Sequence, residues 1–408
     1  MKYDNPMKEE LLMSKTIYLD NAATSKMRPE VLEAMMPYLT EDYANPSSIH
    51  DFGIHCSKVC EEARKKVAKV INAKENEIYF TSGGSESDNW AIKSVVQLRK
   101  EKGKHIITSK IEHPAVLHTC EFLAREGYEV TFIDVDDQGI IKIDELKKAI
   151  RPDTILITVM FANNEIGTIQ PIREIGEIAR SNDILFHTDA VQAYGHIPID
   201  VEKDNIDLLS ASSHKIHGPK GIGMLYIKNS VKLPPLIHGG PHERKRRAGT
   251  LNVPGVVGFA KAAEMAMEEM DENISKVTKM RDYLMNRLLA EIPYTRLNGH
   301  KDKRLPGNVN ISYRFVEGES LLMLVDKKGI SASTGSACAS GSLDPSHVLL
   351  AIGLPHEIAH GSIRMTLSEF NTMEEMDKAV EALKEVVNRL RMMSPLYEDA
   401  MKKEKEAK

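Results

Sequence analysis

The chain has 408 residues, a formal net charge of −5, 42% hydrophobic residues and 28% charged residues. That length exceeds one ordinary hydrophobic core and predicts two lobes sharing an interface, while the near-average composition describes a soluble globular protein. The mildly acidic balance excludes a dedicated nucleic-acid surface, and no stretch of about 18 uncharged apolar residues is present to cross a bilayer.

Residues 1–15 read as an extension outside the fold; acids stand among the first residues and no signal-like apolar core follows, so the expected location is cytoplasmic. The segment from Arg28 to Ala73 reads as helix, loop (Asn45-Pro46-Ser47-Ser48) and helix. Cys56 and Cys60, spaced i, i+4, are expected to pack on one helix face. All four cysteines, with Cys120 and Cys338, are expected as thiols in a reducing compartment.

From about 77 to 228, short β-branched runs alternate with amphipathic stretches. Strands are predicted at Ile78–Phe80, His105–Thr108, Val130–Val135, Thr154–Phe161, Ile184–Phe186, Leu208–Ala211 and Gly223–Ile227. Helices are predicted near Ser87–Lys102, Pro114–Glu126 and Ile172–Ser181. This alternation predicts an α/β fold with a largely parallel sheet covered by helices on both faces, and ligands gather at the carboxyl ends of such strands. A long helical pattern from about Val256 to Glu291, ended by Ile292-Pro293, marks the passage into a smaller lobe of mixed strands and helices. The expected units are therefore 16–260 and 261–408. The basic cluster Arg244-Lys245-Arg246-Arg247 and the lysine-rich tail, a solvated helix end or disordered stub, make no nucleic-acid surface.

Lys215, in Ser212-Ser213-His214-Lys215-Ile216-His217-Gly218-Pro219-Lys220-Gly221, ends a strand of small residues in a glycine turn and can present an aldehyde-trapping amine. Asp189, in Phe186-His187-Thr188-Asp189, closes the preceding strand. An imine-forming lysine and an acid that keeps a pyridine nitrogen protonated are what pyridoxal phosphate requires. Either residue alone also suits an ordinary strand end. Thr81-Ser82-Gly83-Gly84-Ser85 joins a strand to a helix and offers backbone amides to a phosphate, although glycine-serine turns are common. His113, before Pro114 at a helix start, can stack on a flat cofactor and move protons, or be structural. His113, His118 and Cys120 hint at metal spacing without a fourth ligand. Cys338 stands in Ser333-Thr334-Gly335-Ser336-Ala337-Cys338-Ala339-Ser340-Gly341-Ser342, where nothing can pack it into a core. Such a thiol suits a nucleophile that visits a site and carries its product away, or a free cysteine in a turn. Arg364, in a strand-like run, can clamp a carboxylate with two hydrogen bonds or pair with a structural acid.

With these residues in place, the chain resembles the cysteine desulfurases of the nitrogen-fixation and iron-sulfur-cluster type, within the class V aminotransferases of pyridoxal phosphate fold type I. The resemblance runs from Ile17-Tyr18-Leu19-Asp20-Asn21-Ala22-Ala23-Thr24 to Ser394-Pro395-Leu396-Tyr397. It includes Asn163-Asn164-Glu165-Ile166-Gly167, Ser213-His214-Lys215, Arg247-Ala248-Gly249-Thr250 and Gly335-Ser336-Ala337-Cys338 in family order. It implies a mostly parallel seven-stranded sheet and a smaller α+β C-terminal domain carrying the Cys338 loop. It further implies pyridoxal 5′-phosphate held covalently by Lys215, with Asp189 on the ring nitrogen, Gln192 on the ring hydroxyl and His113 stacked on the ring. Gly84, Ser85, Ser212 and His214 would contact the phosphate, joined by Thr250 of the neighbouring subunit in a homodimer. Asn164, counted also among the cofactor contacts, and Arg364 would take the carboxylate of L-cysteine. Catalysis would rest on Cys338, Lys215 and His113, the product being alanine and a persulfide passed to an iron-sulfur scaffold or another acceptor. No metal is implied in the cofactor site; Cys338 is implied as a ligand for a transferred iron-sulfur cluster. Ser85 stands where threonine is more usual, Gly84 where alanine is common and Ser213 where glycine is common.

Overall fold

The computed structural model describes residues 16–334 and 345–406. Cys338 therefore lies outside the described residues, as does the 1–15 extension.

In chain order β1 (Ile17–Tyr18) comes first, and the large part then contains α1 (Pro29–Thr40), α2 (Asp51–Lys69), β2 (Ile78–Thr81), α3 (Gly84–Leu98), β3 (His105–Ser109), α4 (Pro114–Arg125) and β4 (Glu129–Ile133). It continues with α5 (Ile143–Ala149), β5 (Thr154–Thr158), α6 (Ile172–Ser181), β6 (Leu185–Asp189), β7 (Leu208–Ser212), β8 (Gly223–Ile227) and α7 (Val253–Glu268). Seven strands form one sheet in the order β2-β8-β7-β6-β5-β3-β4, and only β8 runs antiparallel to its neighbours. The strands β3, β5, β6 and β7 are buried at every position. Adjacent residues serve opposite faces: Ile106, Leu185 and Leu208 pack with Trp90 and Ile92 of α3 and Val116 of α4, while Ile107, Phe186 and Leu209 pack with Val67 of α2 and Phe259 of α7. Both faces being apolar explains why these runs lack strict polar alternation.

Beyond α7 come α8 (Met270–Glu291), β9 (Thr295–Leu297), β10 (Asn308–Tyr313), α9 (Gly318–Asp326), β11 (Ile330–Ser331), α10 (His347–Ala351), α11 (His356–His360), β12 (Ser362–Thr366), α12 (Met373–Met392) and α13 (Pro395–Glu406). An antiparallel sheet β12-β10-β9 and the parallel pair β1-β11 share a second core with Leu284, Leu288, Leu383 and Val387. Ile17 and Leu19 belong to this second core, so the chain visits it before α1 begins.

Two local departures from the sequence pattern have physical causes. The continuous helix expected from Val256 to Glu291 is two helices that break at Glu269, with φ −97° and ψ 3°. Neither glycine nor proline marks the break; its carboxylate is instead held by both terminal nitrogens of Arg28, at 3.0 and 2.6 Å. The basic cluster is likewise internal in use: Arg244 pairs with Glu61 and Arg247 with Glu86. Glu243 beside them is fully buried against Arg64, with two hydrogen bonds of 2.8 Å, and accepts from Phe80 N at 2.7 Å, fastening this segment to β2.

Glu112 closes the end of β3 in a similar way. Its carboxyl accepts from Ser109 Oγ at 2.5 Å and from Met160 N at 3.0 and 2.9 Å, joining β3 to the exit of β5. Burial raises its pKa from 4.5 to about 8.

Two stability measurements follow from these buried acids. Replacing Glu243 by alanine strands the Arg64 charge and is expected to cost about 3–5 kcal/mol, read from the urea midpoint. For Glu112 the native state binds the proton more tightly than the unfolded chain does, so its contribution falls as pH rises from 4.5 to about 8 and is constant outside that window. Glu112→Gln is expected to flatten that decline in urea midpoints measured across the same range; an unchanged slope refutes the assignment.

Candidate active site

Asp189 and Lys215 arise from neighbouring parallel strands. Asp189 is the last residue of β6, and Lys215 ends the 3-10 turn Ser213–Lys215 that follows β7. Their proximity is a consequence of sheet order, because adjacent parallel strands deliver their carboxyl ends to one edge. Asp189 is 6% exposed, and its Oδ1 accepts from Val191 N at 2.9 Å. Burial raises its pKa, opposed by His113 and Lys215.

His113 caps α4. Its Nδ1 accepts from Ala115 N at 3.1 Å, which leaves Nε2 to carry the ring proton. Burial lowers its pKa, so the imidazole is neutral near neutral pH; Asp189 opposes that shift and Lys215 adds to it. One ligand atom from each of Asp88, His113 and Asp189 lies within 4.8 Å of the others, the only such potential metal-holding trio among the described residues.

The N-terminal segment crosses the lysine. Lys215 Nζ donates to Ala22 O at 2.5 Å and Ala23 O at 2.8 Å, and Gln192 Nε2 donates to Ala22 O at 3.0 Å. His214 Nδ1 lies 3.1 Å from Thr24 Oγ1. Burial, then Lys215 and Lys220, lowers the His214 pKa to about 4.

Beside the lysine, Thr24, Ser82, Gly84, Ser85, Ser212 and Lys220 line a pocket at the start of α3. Two glycines of this turn answer to backbone and packing constraints. Gly83 has φ +153°, and a Cβ on Gly84 would come 2.6 Å from Val191 Cγ2. The first-turn amides of a 15-residue helix, hydroxyls and a lysine form a donor set suited to a phosphate, with Lys215 and the buried Asp189 beyond it suited to an aldehyde and a ring nitrogen. These residues fit pyridoxal phosphate.

Arg364 on β12 reaches the same region from the second core. Its side chain is 4% exposed, Nη2 donates to Asp20 Oδ1 at 2.9 Å and Nη1 to Asn164 O at 3.2 Å, while buried Nε has no partner among the described residues. The acid partner left open by the sequence is thus Asp20, and a donor remains for a second carboxylate. Ser333 exchanges backbone hydrogen bonds with Arg364, and Ser346 Oγ donates to Glu165. The described residues on both sides of the Cys338 segment therefore lie against the Asn164–Arg364 pair. Thr250 is exposed and does not line the α3 pocket of its own chain.

Cys56, Cys60 and Cys120 are buried core thiols, and burial pushes Cys60 and Cys120 up to about 12. Residues without a role from sequence include Ala22, Ala23, Asp20 and Asp88. The first three lie in a motif whose order in the chain gives no hint that it folds back onto Lys215.

A profile of the aminotransferase class-V family matches residues 17–379. A relative from Methanosarcina thermophila named cysteine desulfurase IscS is 60% identical over 94% of this chain and 95% of its own. Among solved structures, a NifS-like protein has a TM-score of 0.86 at 40% identity, covering 91% of this chain and 99% of its own. SspA in complex with cysteine has a TM-score of 0.78 at 38% identity, covering 88% and 100%. With match lengths and identities of this size, the chain belongs to the class-V aminotransferase family, and within it to the cysteine desulfurases.

Proposed function

We propose that this protein is a pyridoxal phosphate-dependent cysteine desulfurase, converting L-cysteine to L-alanine and leaving the sulfur as a persulfide on Cys338 for iron-sulfur cluster assembly and other sulfur-using pathways. The observation that carries the reading is the delivery of Lys215, buried Asp189 and neutral His113 to one edge of the sheet, beside the α3 pocket.

Lys215 would hold the cofactor aldehyde, Asp189 the ring nitrogen and Gln192 the ring hydroxyl, with His113 and Asn164 completing the ring's site. Gly84, Ser85, Ser212 and His214 hold the phosphate. Bound pyridoxal phosphate supplies an electron sink for the substrate α-carbon. The buried Nε donor of Arg364, with Asn164, takes the substrate carboxylate and fixes the α-carbon's orientation. The Lys215 amine would be placed to move the substrate α-proton, and neutral His113 carries a proton on Nε2. Cys338 as thiolate attacks the substrate sulfur; the new S–S bond forms as the carbon–sulfur bond breaks, and the departing three-carbon fragment takes up protons to become alanine. Exposed Thr250 reaches the phosphate of a second copy, making the working unit a homodimer. Residues 16–260 form the cofactor-holding unit and 261–408 the smaller one with Cys338. The acceptor is a scaffold or carrier protein in the cytoplasm, and no described helix is long and apolar enough to cross a membrane.

The decisive assay incubates cofactor-loaded protein with L-cysteine under reductant and measures alanine and sulfide, expected in equal amounts; alanine without sulfide overturns the reading. Cys338→Ser is expected to lose roughly a hundredfold or more of turnover while remaining yellow, whereas a transaminase would keep its rate. Lys215→Ala should give no cofactor adduct after borohydride reduction, checked by mass. For Arg364→Ala, loss of charged hydrogen bonds is expected to raise KM about 10- to 100-fold with a smaller change in kcat.

A further inference from the structure

We propose that Asp88 is the proton-holding partner of Asp189: the two side chains share a single negative charge that rests on Asp189, making Asp88 a positioning residue for the ring nitrogen of the cofactor. This rests on Lys215 and Asp189 forming the cofactor site.

Asp88 follows the phosphate pocket by four residues on α3 and points under the same site. It is 1% exposed, and one of its carboxyl oxygens lies within 4.8 Å of a ligand atom of Asp189 and of His113. Two carboxyls this close and this dry do not both ionise; one of them keeps its proton.

The surroundings decide which acid keeps the charge. Asp189 faces His113 and Lys215 and accepts from Val191 N. Asp88 faces the Ser210 hydroxyl, the acids Asp189 and Glu112, and the His187 ring, whose Nε2 is 3.6 Å from Asp88 Oδ1. That imidazole gives no counter-charge. It is completely buried, its Nδ1 lies 2.8 Å from Thr158 Oγ1 and its Nε2 3.0 Å from Ser210 Oγ, and burial lowers its pKa to about 3. Burial also raises the Asp88 pKa well above the usual carboxylate range, with Asp189 adding to the shift.

One detail remains that a charged Asp88 leaves unexplained. Its Oδ1 is buried and has no hydrogen-bond partner among the described residues, His187 Nε2 standing at 3.6 Å, beyond hydrogen-bond distance. An ionised oxygen in that position would lack the donors a buried carboxylate needs, whereas a neutral acid carries no charge to compensate. The neutral acid then faces Asp189 as a dipole instead of a second charge. Without it, the site would either hold two repelling carboxylates or lose the proton-bearing group that lets Asp189 stay ionised toward a pyridine nitrogen.

The test compares wild-type protein with Asp88→Asn, which keeps shape and hydrogen-bonding capacity but cannot ionise. In the infrared difference spectrum at pH about 8, chosen to lie far above an ordinary aspartate, wild type is expected to show the carbonyl band of a neutral carboxylic acid that Asp88→Asn lacks. If only carboxylate bands disappear, the proposal is overturned. In cofactor-loaded protein, the pH midpoint of the yellow Lys215 band is expected to be the same in wild type and Asp88→Asn. A shift of about one unit or more means that a charge was removed and refutes the proposal. Asp88→Leu, which cannot donate, is expected to release cofactor about tenfold faster or more, followed by loss of the visible band. Release at the wild-type rate in a folded Leu variant would reduce Asp88 to packing. The infrared comparison needs no cofactor, so an absent borohydride adduct at wild-type Lys215 would sink the cofactor reading while leaving the acid pair itself decided.

Discussion

A single negative charge held away from water organises this site. Asp189 is nearly inaccessible, and an isolated carboxylate there would be strongly disfavoured. What makes it tolerable is the sheet order. Because β6 and β7 are neighbours and parallel, the residue that ends one strand and the turn that follows the other arrive together, so Asp189 meets Lys215 without any loop having to search for it. His113 comes from the end of β3 with its Nδ1 already fixed by its own helix. The helix α3 contributes at two levels: its first turn opens toward an anion, and one turn later Asp88 reaches under the acid. The open first turn of α3 and the buried acids are thus set apart by the geometry of one helix and two strands.

The N-terminal segment then ties this edge to the second core. Ile17 and Leu19 are buried among residues of α8, β10 and α12, while Ala22 and Ala23, only a few positions later, accept hydrogen bonds from Lys215. Between them, Asp20 pairs with Arg364 and bridges Thr366. A stretch of a few residues therefore touches the lysine, Arg364 and the second core. These contacts join positions 192 and 344 residues apart along the chain, and the β1-β11 pairing holds the same segment in place.

Much of the fold could be read from the sequence because its signals are local. Strand residues such as Ile106-Ile107-Thr108 are β-branched and flanked by helical patterns, so the alternation announces a parallel sheet and where its carboxyl ends fall. Lys215 and Asp189 stood out for the same reason: each follows a strand directly. The seven-stranded sheet was implied by resemblance, and the structure shows it with β8 antiparallel. The rest depended on partners far away in sequence. Glu269 ends α7 through Arg28, with no helix-breaking residue to announce it. Arg364 gave no hint that Asp20 would take one of its nitrogens. Asp88 sits in an ordinary helical pattern, and nothing in its neighbours distinguishes a buried acid from the half-buried Asn89 beside it.

The distance between Arg364 and Glu369 along the chain carries a last consequence. Glu369, five residues after Arg364, holds Arg28 with a hydrogen bond of 2.5 Å and lies 3.2 Å from His217 Nε2. Nearby charges depress its pKa despite its burial, so it is ionised throughout the physiological range. His217 is the second residue after Lys215, adopts φ +64°, and is held further by Ser25 Oγ on its amide at 2.8 Å and Lys26 O near Nδ1 at 2.8 Å. The segment that follows Arg364 and the turn that follows Lys215 are thereby joined through one carboxylate. The left-handed backbone at His217 is strained for a residue with a side chain and persists because these three contacts over-determine it.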